Sequence, residues 1–144
     1  MRGTVFFNAV GRPQTVYGQR CNEDQLEHEV WITEAELLLG GRVTRGARVG
    51  QTVADALLVR EGVQFFIEMD NETMSPKVMR EKWLRYGEID GFILVICHSK
   101  ERMRRLLKCA DMVKTVALFT RFRWLKAKHV KQPWIDWYGK RTSI

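Results

Sequence analysis

TVADALLVREGVQFFIEMD, residues 52–70, is the stretch on which the fold turns. Its two apolar runs, 52–59 and 63–69, are rich in β-branched and aromatic residues, and Arg60, Glu61 and Gly62 between them have turn chemistry. That pattern predicts an antiparallel hairpin. Successive side chains on a strand point to opposite faces, so Glu68 and Asp70 share one face while Ile67 and Met69 share the other. Asp55 interrupts the first strand between Ala54 and Ala56, where an isolated carboxylate is costly to bury unless paired or bound to a cation. The hairpin brings Asp55 close to Glu68 or Asp70.

Downstream, a helix is expected over 75–86, with Pro76 in the first helical position, where its missing N–H costs nothing. Met79, Trp83 and Tyr86 form its inner stripe. FILVICH at 92–98 is the most apolar run and the expected central strand. KERMRRLLKCADM at 100–112 reads as a basic helix, VALFT at 116–120 as a strand, and a Trp-rich tail closes the chain. Upstream, residues 22–39 read as a helix that puts Leu26, Val30, Trp31, Ile32 and Leu37 on its apolar side and stops at Gly40 and Gly41. Residues 42–51, RVTRGARVGQ, show no apolar periodicity and read as a basic loop or irregular ribbon. Residues 3–17 read as a short hairpin turning at Gly11, Arg12 and Pro13. The fold class is therefore α/β, a mixed central sheet flanked by helices. A short β-rich segment, 1–20, precedes one continuous unit, 21–144.

A chain of 144 residues can bury a single core without disulfides or a structural metal. Cys21, Cys97 and Cys109 are odd in number and widely spaced, which suggests neither a zinc site nor a disulfide framework and leaves buried or idle thiols. No stretch approaches the roughly 20 apolar residues of a membrane helix, and the N-terminal residues lack a signal-peptide pattern, so a cytoplasmic protein is expected. The net charge of +7 is unevenly spread. Residues 1–75 hold 7 basic against 11 acidic residues and 76–144 hold 17 against 6, a net −4 followed by +11. An acidic centre beside a basic surface is the distribution expected where a divalent cation meets a polyphosphate.

Asp55, Glu68 and Asp70 on neighbouring strands form a hard oxygen set of the kind Mg²⁺ or Mn²⁺ prefers. Lys82, on the helix that follows, supplies an ammonium to offset charge developing on a scissile phosphate. Tyr86 lies one helical turn further on the same face. Glu29 on the first helix either completes the carboxylate set or faces water, and the second reading is preferred. The competing reading makes Glu68 and Asp70 polar strand ends, Asp55 a satisfied core acid and Lys82 a surface charge. Candidate phosphate contacts are Arg42, Arg45 and Arg48 in the basic segment, Lys77 and Arg85 around the next helix, Arg102 and Arg105 on the basic helix, and Arg121 and Arg123 after the last strand. Trp124, Trp134, Trp137 and Tyr138 either close the core, the commoner role, or stack on unpaired bases.

Taken together, VADALLV, FFIEMDNETMSPKVMREKWLRY, FILVICHSKERMRRLL and LFTRF resemble the C-terminal domain of the plasmid replication-relaxation protein family over about residues 22–138. The most specific part is the acid-x-acid strand followed by Thr73 and a helix bearing Lys82 and Tyr86. The resemblance implies a relation to the restriction-endonuclease-like, PD-(D/E)xK, nuclease superfamily, with Asp55 and Glu68 matching its two acids. Ala54 stands where that superfamily often has Pro, and Asp70 takes the place of its Lys, which leaves Lys82 as a migrated substitute. The resemblance also implies an upstream winged-helix domain, whose closing strand pair the segment VFFNAVGRPQTVY is similar to.

The expectation is a DNA-binding, Mg²⁺- or Mn²⁺-dependent nuclease-like domain in plasmid or mobile-element replication and relaxation. DNA and a plasmid replication protein are its expected partners, a membrane is not, and a homodimer is left open. The alternative is a catalytically inactive DNA-binding or assembly module with the same fold.

Overall fold

The computed structural model describes residues 3–7, 13–17, 23–110 and 117–144. In chain order its elements are β1 (Gly3–Phe7), β2 (Pro13–Tyr17), α1 (Glu23–Leu39), β3 (Arg42–Val49), β4 (Thr52–Arg60), β5 (Val63–Asp70), α2 (Pro76–Leu84), β6 (Phe92–Cys97), α3 (Lys100–Cys109), β7 (Ala117–Arg121), α4 (Phe122–Lys126), β8 (Trp134–Ile135) and β9 (Arg141–Thr142). Strands β1 and β2 pair antiparallel as a sheet of their own, as the hairpin pattern anticipates, although the turn residues Gly11 and Arg12 lie outside the described set.

The other seven strands form one sheet in sequence order, β3-β4-β5-β6-β7-β8-β9. The β5-β6 and β6-β7 pairs are parallel and the remaining pairs antiparallel, so the sheet is mixed. FILVIC sits fourth of seven, buried from Ile93 to Cys97, because a strand covered on both faces has no polar side to show. The parallel pairs need crossovers, which α2 and α3 supply. Their buried residues Met79, Trp83, Met103 and Leu106 pack with Phe66, Val95 and Phe119 on one face of the sheet. On the opposite face Ile32 and Ala35 of α1 and Phe122 of α4 cover Leu58, Ile67, Leu94 and Leu118. A Lys126–Glu34 ion pair ties α4 to α1.

Ser75 caps α2, its hydroxyl accepting from the Val78 amide, with Pro76 inside the first turn, and Ser99 caps α3 in the same way. One expectation needs correction. Residues 42–49 form the edge strand β3 and not a loop; five of its eight residues are exposed and only Val49 is buried, so this edge strand has too little apolar surface to write a period into its sequence. The Trp-rich C-terminal tail holds α4 followed by two short strands that extend the sheet beyond β7.

One departure from regular pairing shapes the rest. The β4-β5 ladder runs from Arg60↔Val63 to Ala56↔Ile67 and stops there. Beyond it β4 changes face: Ala56 and Leu58 pack under α1, whereas Ala54 packs with Met79, Trp83 and Tyr86 under α2. The β3-β4 hairpin tip thus leaves β5 and leans on the end of α2, where the Gln51 amide donates to the Arg85 carbonyl at 2.9 Å. Gly50, at φ +53, makes this contact possible, since a Cβ there would lie 2.5 Å from both the Arg85 and the Tyr86 carbonyl oxygens.

Gly50→Ala is therefore expected to destabilise the chain by about 2–4 kcal/mol, combining backbone strain with a clash against backbone oxygens. Urea denaturation checks this, and a loss below about 0.5 kcal/mol, the level of an ordinary surface change, would contradict the account.

Candidate functional site

Where β4 parts from β5, the Met69 amide loses its strand partner. The Asp55 carboxylate takes over, with Oδ2 accepting from Met69 N at 2.8 Å. Its other oxygen, Oδ1, lies 3.3 Å from Nε2 of His28 on α1. The parted strands open a cleft of about 350 Å³ at the carboxyl end of β5. Gln25, His28, Asp55, Glu68, Asp70 and Lys82 are among its walls. Open α/β sheets bind ligands outside the carboxyl ends of their parallel strands, and this cleft has that position.

Glu68 is buried, at 1% exposure. Lys82 Nζ donates to its Oε2 at 2.5 Å, and the Tyr86 hydroxyl donates to Oε1. Burial first, and the neighbouring Asp55 charge second, push the Glu68 carboxyl up to about 7, with Lys82 and Tyr86 pulling it back. The His28 imidazole is raised above its usual value, chiefly by its hydrogen bond to Asp55 against the cost of burial. Its Nδ1 is buried and meets no acceptor among the described residues. Burial pushes the Tyr86 hydroxyl far up, so it stays a donor. The Cys97 thiol is also pushed up by burial, which fits an idle core cysteine.

Asp70 does share the face of Glu68, as strand alternation predicts, but it is held differently. Arg102 Nε and Nη2 grip its two carboxylate oxygens, each at 2.8 Å, and Nη2 also donates to the Met74 carbonyl at 2.6 Å. Both side chains are buried. This bidentate pair bolts β5 to α3, and it changes two expectations at once. Asp70 is a structural anchor in this arrangement, and Arg102 faces the interior and not a phosphate.

The remaining sequence candidates divide by what they touch. Glu29 is exposed and pairs with Arg45 at 2.8 Å, away from the cleft. Arg45 also reaches Glu36 at 2.5 Å and Thr33 at 2.8 Å, so it fastens β3 to α1. Arg42, Arg48, Lys77, Arg85 and Arg123 are exposed. Arg105 is exposed and pairs with Glu101 one turn away. Arg121 is half-buried over the Trp124 ring, whose other contact is Arg141. Of the aromatic residues in the tail, Trp134 is fully buried while Trp137 and Tyr138 are exposed. Lys77, Lys100 and Arg123 stand in the first turns of α2, α3 and α4, the helices that leave the carboxyl ends of β5, β6 and β7, on the sheet edge where the cleft opens.

Sequence reasoning missed His28 and Gln25 as cleft residues. A signal existed: both lie on the helix face that Ile32 and Ala35 bury, so they continue the apolar stripe of α1 as polar residues toward its N-terminal end.

Mg²⁺ retains several waters and takes one or two protein carboxylates, with substrate phosphate completing its shell. Asp55 and Glu68, two acids facing one cleft beside the Lys82 ammonium, match that demand. Asp70 does not, because its oxygens belong to Arg102. Among the described residues no three His, Cys, Asp or Glu side chains are grouped as a ready-made ligand set.

Two outcomes follow from these contacts. Asp70→Ala leaves Arg102 buried and unpaired and is expected to cost about 3–5 kcal/mol in stability, measurable by denaturant unfolding. A change under about 1 kcal/mol would deny the anchor role. The second concerns pH. Glu68 has its folded value of about 7 above the ordinary 4.5, so the folded chain keeps a proton that the unfolded chain loses between those values. Its contribution is present at low pH and lost as pH rises to about 7, and raised His28 loses its contribution in the same direction. The lowered His98 acts in the opposite direction, so the comparison isolates Glu68: in EDTA, Tm from pH 5 to pH 8 is expected to fall more, or rise less, in the wild type than in Glu68→Gln, and parallel profiles would contradict this.

Comparison with known proteins adds no relative: no family model matches the chain, and neither a curated protein nor a solved structure matches it.

Proposed function

We propose that this chain is a DNA-acting domain of the restriction-endonuclease-like kind, a cytoplasmic phosphodiester hydrolase that uses Mg²⁺ or Mn²⁺ in plasmid or mobile-element replication and relaxation. The observation that carries the reading is the meeting of Asp55, Glu68 and Lys82 in one cleft at the carboxyl end of a strand in a mixed sheet. The resemblance to the replication-relaxation family agrees with it, since Asp55 and Glu68 are the matched acids and Lys82 is the lysine displaced onto the helix. A plasmid replication protein as partner rests on that resemblance alone.

Asp55 and Glu68 would hold the ion, and the ion supplies Lewis-acid stabilisation of charge on the scissile phosphoryl group. Glu68 binds a cation only as the carboxylate, so loss of its proton near pH 7 arms the site. Lys82, released from Glu68 Oε2, turns its ammonium toward the charge that builds on the phosphate oxygens. Tyr86 holds the other oxygen of Glu68, and His28 steadies Asp55. Lys77, Lys100 and Arg123, exposed beside the cleft edge, give the DNA backbone a sequence-independent, salt-sensitive hold.

A second reading, a DNA-binding or assembly module without cleavage, is favoured by a specific observation. Both oxygens of Asp55 and both of Glu68 accept protein donors, and the third acid is fixed to Arg102. The two readings share the basic surface and part at the cleft.

Nicking of supercoiled plasmid separates them. The hydrolase is expected to nick with Mn²⁺, to stop in EDTA, and to lose at least about 100-fold in rate with Asp55→Ala or Glu68→Ala, no less than loss of an outer-shell partner costs a metal site. Salt-sensitive DNA binding that EDTA and both substitutions leave unchanged, with no nicking, selects the module instead.

A further inference from the structure

A second hollow, of about 470 Å³, adjoins the cleft and shares Asn71 and Thr73 with it. Its remaining walls are Glu27 and Trp31 of α1, Glu72 after β5, and His98 and Ser99 after β6. We infer that this groove is a subsite for an unpaired nucleobase carrying an exocyclic amine, placed next to the phosphate that the cleft receives. The inference rests on the DNA-acting reading above and names the form of DNA that suits it.

The aromatic wall is rigid. Trp31 meets His98 edge-on with centroids 4.6 Å apart, and both rings contact Phe122, at 5.2 Å and 5.6 Å. Burial lowers the His98 imidazole, so it presents a neutral ring. A half-buried indole fixed on one side gives a base a stacking surface with little entropy left to lose.

The polar wall accepts hydrogen bonds and repels phosphate. Glu27 accepts from the Trp31 indole N–H at 3.4 Å, and Glu72 accepts from the Ser99 hydroxyl at 2.9 Å. An ionised carboxylate has about four acceptor positions, so each retains capacity for an amine. Cytosine, adenine and guanine offer an exocyclic amine, and thymine does not. Inside a duplex these edges are paired and stacked, so only an unpaired base reaches such a pocket. An arginine side chain of a partner protein has matching chemistry, but the wall shared with the cleft favours a nucleotide: the base next to a phosphate held there arrives at the groove without a second partner.

Fluorescence anisotropy on the full chain in EDTA tests the inference with three labelled probes: an intact duplex, the same duplex with one bulged cytosine, and the same with one bulged thymine. The bulged cytosine is expected to bind about tenfold more tightly than the intact duplex, in keeping with the stacking of a single base on an aromatic ring, and the bulged thymine clearly less so. Trp31→Ala removes the preference for either bulge. Glu72→Ala combined with Glu27→Ala, at exposed positions that threaten the fold little, removes the preference for cytosine over thymine, and duplex affinity stays unchanged in both variants. Equal binding of all three probes overturns the subsite and leaves the DNA-acting reading standing. No binding to any probe overturns both.

Discussion

The candidate site exists because β4 stops pairing with β5 after Ala56↔Ile67. A backbone N–H left without a partner inside a protein costs as much as a lost hydrogen bond, so the departure of β4 would strand the Met69 amide. Asp55 answers that need with a side-chain oxygen. The same bond fixes a negative charge within reach of Glu68, which lifts the proton affinity of a carboxyl already raised by burial. The structural and the chemical readings of Asp55 are therefore not rivals. A carboxylate placed to repair a ladder also lines the cleft beside Glu68.

The buried acids of β5 are balanced in two ways that differ in kind. Arg102 holds Asp70 through a planar fork with both contacts desolvated, an arrangement that opens only at a large cost. Lys82 holds Glu68 through one ammonium on a flexible stem that remains partly in solvent. The first is suited to joining β5 with α3 permanently. The second rests on a single ammonium contact and opens at a smaller cost.

The hairpin at 52–70, the capped helix after it and the central FILVIC strand were all readable, because each buries an apolar face whose period the sequence must carry. Strand β3 was not readable, since Arg42, Arg45 and Arg48 lie on an edge where nothing demands alternation. At the site, alternation placed Glu68 and Asp70 on one face but said nothing of what lies above each. A helix covers them from a different direction in each case, α2 over Glu68 and α3 over Asp70, and that separation arises from long-range packing. His28 escaped notice for the same reason. Its partner is 27 positions away, across a contact between α1 and β4 that no local pattern records.

The cation that meets Glu68 stands on the neighbouring helix and not on the strand. A lysine two residues beyond Glu68 on β5 would sit where Asp70 sits, under α3, with its stem confined by the sheet and its head aimed by strand geometry alone. From α2, Lys82 reaches one oxygen of Glu68, and Tyr86, just past the helix end, reaches the other, so ammonium and hydroxyl meet the two oxygens of a single carboxylate. The strand position two beyond Glu68 carries an acid, which Arg102 neutralises from α3. The Asp70–Arg102 and Glu68–Lys82 pairs thus balance two buried acids of one strand from two different helices, and β5 is tied to each helix by a different acid.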